Sequence, residues 1–126
     1  MNLKKLIIID DDPLNNFIIR QTILHINRKA EVIGFTNPVE GWRFISDLSL
    51  NKEKFVLFLD INMPEISGWD LLENFDALKP ANEYEIHILS SSADEADMAL
   101  AEMNAHVSAY HTKPISYEAL TKIMAF

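Results

Sequence analysis

Three features of this chain predict an α/β fold built on a doubly wound parallel sheet. Five short β-rich apolar runs punctuate the sequence, and stretches of helical spacing separate them. At the carboxyl ends of four of the runs stand polar groups: the Asp10-Asp11-Asp12 cluster, Asp60, Ser90 and Lys113. Repeated alternation of strand and crossover helix gives a right-handed doubly wound sheet. Such a sheet delivers the carboxyl ends of its strands to one rim, where open α/β folds place their chemistry.

The elements follow in order. Leu6 to Ile9 is wholly apolar, as a strand covered on both faces should be. Asp12 before Pro13 then starts a helix, an aspartate cap followed by proline at the first helical position. On that helix Leu14, Phe17, Ile18 and Leu24 fall in one arc, and Ile19, Ile23 and Ile26 in another. A surface helix needs one buried stripe, so the second arc is either tightly buried or a docking face for a partner helix bundle or a second copy of the chain. Glu31 to Phe35 is the second run, and Asn37-Pro38 repeats the cap-and-proline start. Phe55 to Leu59 is the third, followed by Ser67 with Asp70 three residues on, a capping-box signal. After the fourth run, Glu85 to Leu89, the acidic residues Asp94, Glu95, Asp97 and Glu102 suggest a solvated helix face that also bears on partner choice. Asn104-Ala105 precedes the fifth run, Val107 to His111, with Asn suited to a left-handed helix cap. Ser116 caps a closing helix from Tyr117 to about Ala125.

Bulk properties exclude several classes. At 126 residues the chain has the length of one domain, and residues 1–126 are expected to form it. Without cysteine there is neither disulfide nor thiolate chemistry. A net charge of −8, with no basic run longer than Lys4-Lys5, disfavours direct nucleic-acid binding, which needs clustered cations to displace counterions. The four apolar residues after Lys5 are too short for a signal peptide, and no stretch approaches the roughly 20 apolar residues of a membrane span. A cytoplasmic location is therefore expected. His25, His87, His106 and His111 show no carboxylate partner at metal spacing and read as core or surface residues, and Trp42 and Trp69 read as packing residues.

The segment Phe58-Leu59-Asp60-Ile61-Asn62-Met63-Pro64, followed by Gly68, carries the most specific signal. With Asp10 and Asp11 after the first run, Ser90 after the fourth and Lys113-Pro114 after the fifth, the whole chain resembles the receiver domain of two-component response regulators. The resemblance implies a flavodoxin-like sheet of order 2-1-3-4-5 with five helices. It also implies a phosphoryl group accepted on Asp60 from a sensor histidine kinase or a histidine phosphotransfer protein, and switched contacts with a downstream protein target. Asp11 and Asp60 would be direct Mg²⁺ ligands, with Asp10 acting through water and the backbone carbonyl of Asn62 filling another position. Lys113 and Ser90 would contact the phosphoryl oxygens, Tyr110 would be the switch aromatic, and Lys113-Pro114 a cis bond. Asn62 and Ser92 would influence self-dephosphorylation. No output domain follows the fifth helix, which suggests a stand-alone receiver, a relay shuttle or an excised domain.

Elementary chemistry agrees. Mg²⁺ takes oxygen ligands and is usually held by one or two carboxylates plus substrate phosphate. Phosphoryl transfer asks of the protein mainly positioning and charge stabilisation, which a lysine and a hydroxyl beside an aspartate nucleophile provide. Taken alone, Lys113 is a solvated lysine and Ser90 a strand end bonded to its own backbone; their joint occurrence with Asp60 favours function. A phosphatase of the haloacid dehalogenase class would need a second aspartate at position 62, where Asn stands. An FMN binder would need a phosphate loop where three aspartates lie. A receiver degenerated to a docking module would lack one of these residues, and none is missing.

Overall fold

The computed structural model describes residues 4–50, 53–75, 84–91 and 94–125. Five strands, β1 (Lys5–Ile9), β2 (Val32–Phe35), β3 (Phe55–Asp60), β4 (Tyr84–Ser90) and β5 (Ala109–Thr112), alternate with α1 (Pro13–Ile26), α2 (Pro38–Leu50), α3 (Gly68–Asn74), α4 (Glu95–Met103) and α5 (Tyr117–Ile123). All strand pairs are parallel and the order is β2-β1-β3-β4-β5, as expected. The crossover reverses at β1, so the ends of β1 and β3 open onto a common cleft.

Alternation within the central strands splits the core into two layers. Ile7, Ile9, Phe55, Leu57, Leu59, Ile86 and Ile88 meet Ile45 and Leu48 of α2 and Leu71 and Leu72 of α3. Leu6, Ile8, Val56, Phe58 and Leu89 meet Ile19 and Ile23 of α1 and Leu120 of α5. Trp42 and Trp69 pack against the first layer, Trp42 meeting Phe75 edge-on at 5.1 Å. The capping signals are realised: Asp12 accepts from Leu14 N, Asn37 from Val39 N, and Ser67 and Asp70 form a complete capping box.

Two open readings are settled and two expectations corrected. On α1 the arc of Ile19 and Ile23 is buried, so it docks no partner, while Leu14, Phe17 and Ile18 are exposed. The inner stripe begins at buried Asn16, a polar residue that masked it in the sequence. Asn104 has φ −86°, not a left-handed conformation; its side chain instead accepts from His106 N at 2.9 Å. The closing helix ends at Ile123. His87 is a core histidine, and it is hydrogen-bonded there: its Nε2 lies 3.2 Å from Glu85 Oε2, and its Nδ1 lies 3.0 Å from His111 Nε2. Glu85 and His87 are two residues apart on one strand and so share a face.

One proton arrangement satisfies that chain with both histidines neutral: His111 Nε2–H donates to His87 Nδ1, and His87 Nε2–H donates to Glu85. Burial lowers the pKa of His87 against the opposing pull of Glu85, and burial with the His87 charge lowers that of His111. Groups whose folded pKa is depressed below an unfolded value of about 6.5 take up protons more readily when unfolded, so their contribution falls as pH drops below that value. Urea titrations should therefore show a smaller loss of stability between pH 7.5 and 5.5 in His87→Leu than in the wild type. An equal loss would show that the pair does not titrate with unfolding.

Candidate functional site

Four strand ends build the site. Asp10 follows β1, Asp60 and Ser90 are the last residues of β3 and β4, and Lys113 follows β5; Asp10, Asp60 and Ser90 are buried. Strand pairing continues through the two polar ends, Asp60 opposite Leu89 and Ser90 opposite Thr112, so each side chain is fixed by the ladder itself. The carboxylates of Asp10, Asp11 and Asp60 offer oxygens that all lie within 4.8 Å of one another. Lys113 Nζ reaches between two of them, 2.9 Å from Asp10 Oδ2 and 3.4 Å from Asp60 Oδ2. Its backbone N–H donates to Ser90 O at 2.7 Å, which ties β5 to β4 at the rim, and the Lys113-Pro114 bond is cis.

The three carboxylates are not equivalent. Asp10 Oδ1 accepts from Asp12 N at 2.9 Å, and its Oδ2 accepts from Lys113 and from Asn15 Nδ2. Both oxygens are thus engaged by donors, which suits a carboxylate that reaches a cation through water. Asp60 Oδ1 accepts from Asn62 N at 3.0 Å, and Asp11 is exposed. Burial raises the Asp60 pKa from 3.8 to about 6; the Asn62 N–H and Lys113 oppose the rise, and the charge of Asp10 and a hydrogen bond with Asp11 add to it. For Lys113, burial lowers the pKa, but hydrogen bonds and charge from Asp10 and then Asp60 prevail and raise it. A cluster of oxygen donors with one deeply placed cation matches a hard divalent ion such as Mg²⁺.

The loop after β3 is held close. Gly68 N donates to Ile61 O at 3.2 Å, and a Cβ on Gly68 would come within 2.8 Å of Asp60 O, so α3 starts hard against the acidic loop only because no side chain intervenes. Asn62 Nδ2 donates to Ser90 Oγ at 3.0 Å, bridging the ends of β3 and β4. Tyr110 is half-buried against the first core layer. All the expected site residues therefore converge except Ser92, which lies outside the described residues, and Tyr110, which flanks the site. Sequence reasoning missed Asn15 and Asn16, both bonded to Asp10; the only signal was a pair of adjacent amides among apolar residues in the first turns of α1.

A buried aspartate at the end of the central strand, set among two further carboxylates, a lysine and a hydroxyl on a doubly wound sheet, defines a phosphoaccepting signalling domain. The chain belongs to the response regulator receiver domain family, whose model matches residues 6–125. It is 29% identical to the chemotaxis protein CheY1 of Helicobacter pylori over 92% of this chain and 90% of that protein. It is 35% identical to the transcriptional regulatory protein BtsR of Escherichia coli, over 96% of this chain and 46% of the relative. Among solved structures, a two-component response regulator from Cytophaga hutchinsonii superposes with a TM-score of 0.87 at 29% identity, over 98% of this chain and 95% of that one. The chain is thus a two-component response regulator receiver, and no helix among the described residues is long and apolar enough to cross a membrane.

Proposed function

We propose that Asp60 accepts the phosphoryl group, in the cytoplasm, from the phosphohistidine of a sensor kinase or a histidine phosphotransfer protein. A carboxylate oxygen of Asp60 attacks phosphorus, the P–N bond to histidine breaks, and the imidazole leaves as an acyl phosphate forms. The observation that carries this reading is the Lys113 ammonium lodged between Asp10 and Asp60, where it meets charge developing on the transferred oxygens. Mg²⁺ held by Asp11, Asp60 and the Asn62 carbonyl, with Asp10 in support, would neutralise the phosphoryl charge. Incubation with acetyl phosphate should add one phosphoryl mass to the intact protein in Mg²⁺ and none in EDTA. No adduct in Mg²⁺, with rapid hydrolysis excluded, would leave the domain as a docking module.

The same residues supply the switch. An acyl phosphate brings roughly −1.5 to −2 charges and three acceptor oxygens to the rim. Ser90 then turns its hydroxyl toward them and leaves the Asn62 amide, and Tyr110 follows into the space vacated beside β4. A hydrogen bond to a charged group contributes about 1.5–3 kcal/mol, whereas full inversion of a two-state equilibrium needs about 5.5 kcal/mol, so Lys113 and Tyr110 share the work with Ser90. Asn62 beside Asp60 is also placed to orient a hydrolytic water, which gives the domain its self-dephosphorylation.

The exposed arc of α1 supports a place for the donor. Leu14, Phe17 and Ile18 are 64%, 59% and 48% exposed and lie on the first turns after the acidic loop. An apolar patch next to a reacting group is the surface a protein donor must cover to bring its histidine to Asp60. Phe17→Asp should slow phosphotransfer from a protein donor about tenfold or more, as loss of an interface anchor does, and leave labelling by acetyl phosphate unchanged. Equal slowing with both donors would place the defect in the site and not in docking.

A further inference from the structure

The backbone of Asp10 is held by one buried side chain of α1 that the chemistry described above does not use. Asn16 is 9% exposed; its Nδ2 donates to Asp10 O at 2.7 Å and to Phe35 O at 3.1 Å. Phe35 O also accepts from Asp10 N at 3.0 Å. The amide thus bridges the carboxyl ends of β1 and β2, joining Phe35 of their last pair, with Ile9, to Asp10 one residue beyond it. Its other atom shows what this costs. Asn16 Oδ1 is buried without a hydrogen-bond partner, pressed against Gly34 of β2. A Cβ on Gly34 would collide with that oxygen and stand 3.3 Å from Asn16 Cγ.

An apolar residue at position 16 would extend the buried stripe of Ile19 and Ile23 and leave no orphaned oxygen. The amide is explained instead by its two donated bonds, which fix where the chain turns from β1 into the acidic loop. We propose that Asn16 is a positioning residue of the acidic site: it sets the Asp10 backbone, and through it the stance of the Asp10 and Asp11 carboxylates opposite Asp60. Gly34 leaves the room this requires, because a Cβ there would collide with the Asn16 amide oxygen and force it to move. This rests on the reading of the cluster as a Mg²⁺ and phosphoryl site, and it adds to that site a support from outside its ligands.

The test is Mg²⁺ titration by calorimetry, with acetyl phosphate labelling at saturating Mg²⁺, on the whole chain at a temperature where every variant is folded. Asn16→Leu keeps the apolar packing and should weaken Mg²⁺ binding about tenfold, the lower end of what loss of a ligand-orienting partner costs. Gly34→Ala should weaken it similarly. In the Asn16→Ala background, however, Gly34→Ala should add nothing, since the group it would collide with has gone. A purely structural role would lower the melting temperature of Asn16→Leu and leave its Mg²⁺ affinity and labelling rate at the wild-type values, and that result would overturn the proposal. A wild type that neither binds Mg²⁺ nor takes up phosphoryl would overturn the reading of the site itself, and this inference with it.

Discussion

Asp60→Asn should take up no phosphoryl group from acetyl phosphate, and in EDTA at pH 7.5 it should be more stable than the wild type. The first result follows from the loss of the proposed nucleophile. The second follows from the cost of keeping a buried carboxylate beside Asp10. The folded-state pKa of Asp60 is raised from 3.8 to about 6. A group that holds its proton more tightly when folded contributes stability that is fully present below the unfolded value and is lost as pH rises through the folded one. Between about pH 4 and pH 6 that contribution disappears, and above pH 6 the ionised Asp60 stands in the fold at a penalty. Asparagine has the same shape without the charge, and Lys113 keeps Asp10 as a partner. Urea midpoints of the two proteins should therefore coincide near pH 4, separate between about pH 4 and pH 6, and stay apart above that. A variant that is less stable at pH 7.5 would show that the Asp60 charge is well compensated without metal.

Removing Lys113 should have the opposite sign. Its ammonium is the cation between two buried carboxylates, 2.9 Å from one and 3.4 Å from the other. Loss of one partner from a buried charge pair typically costs about 3–5 kcal/mol, because the remaining charge is left in low dielectric. Two effects reduce the figure here. The lysine side chain is 20% exposed, and Asp60 relieves the repulsion by holding its proton to higher pH. About 2 kcal/mol is the expected loss for Lys113→Met in EDTA, read as a lower urea midpoint at pH 7.5. Mg²⁺ should return part of that stability, since a cation bound only by the folded state stabilises by mass action. Phosphoryl uptake should remain slow even in saturating Mg²⁺, because the charge opposite the transferred oxygens has gone. Wild-type stability of the variant in EDTA would show that the Lys113 contacts contribute nothing net.

The strands were legible because β1, β3 and β4 are covered on both faces and so read as nearly continuous apolar runs. Their ends were not, since Asp60 and Ser90 are polar yet remain inside the ladder. Helix starts were legible wherever a capping residue announced them, as at Asp12, Asn37, Ser67 and Ser116. The inner face of α1 was hidden by Asn16, whose burial depends on contacts with β1 and β2 that no local pattern encodes. For the same reason the Asn62–Ser90 bridge, 28 residues apart in sequence, emerges only when β3 and β4 lie side by side. The Glu85–His87 pair was within reach of sequence reasoning, because residues two apart on a strand share a face.

The parts of the site are dispersed along almost the whole chain, from Asp10 to Lys113, and meet only where β1, β3, β4 and β5 finish together. If Asp60 accepts the phosphoryl group as proposed, incoming signal is recorded only by a molecule that has completed its sheet. Chains still emerging from the ribosome and molecules opened at the β5 edge would hold Asp60 without the Lys113 that lies beside it in the complete sheet. On the proposed role of Asp60, phosphorylation would thus proofread the fold, and damaged copies would fall silent rather than send a false message.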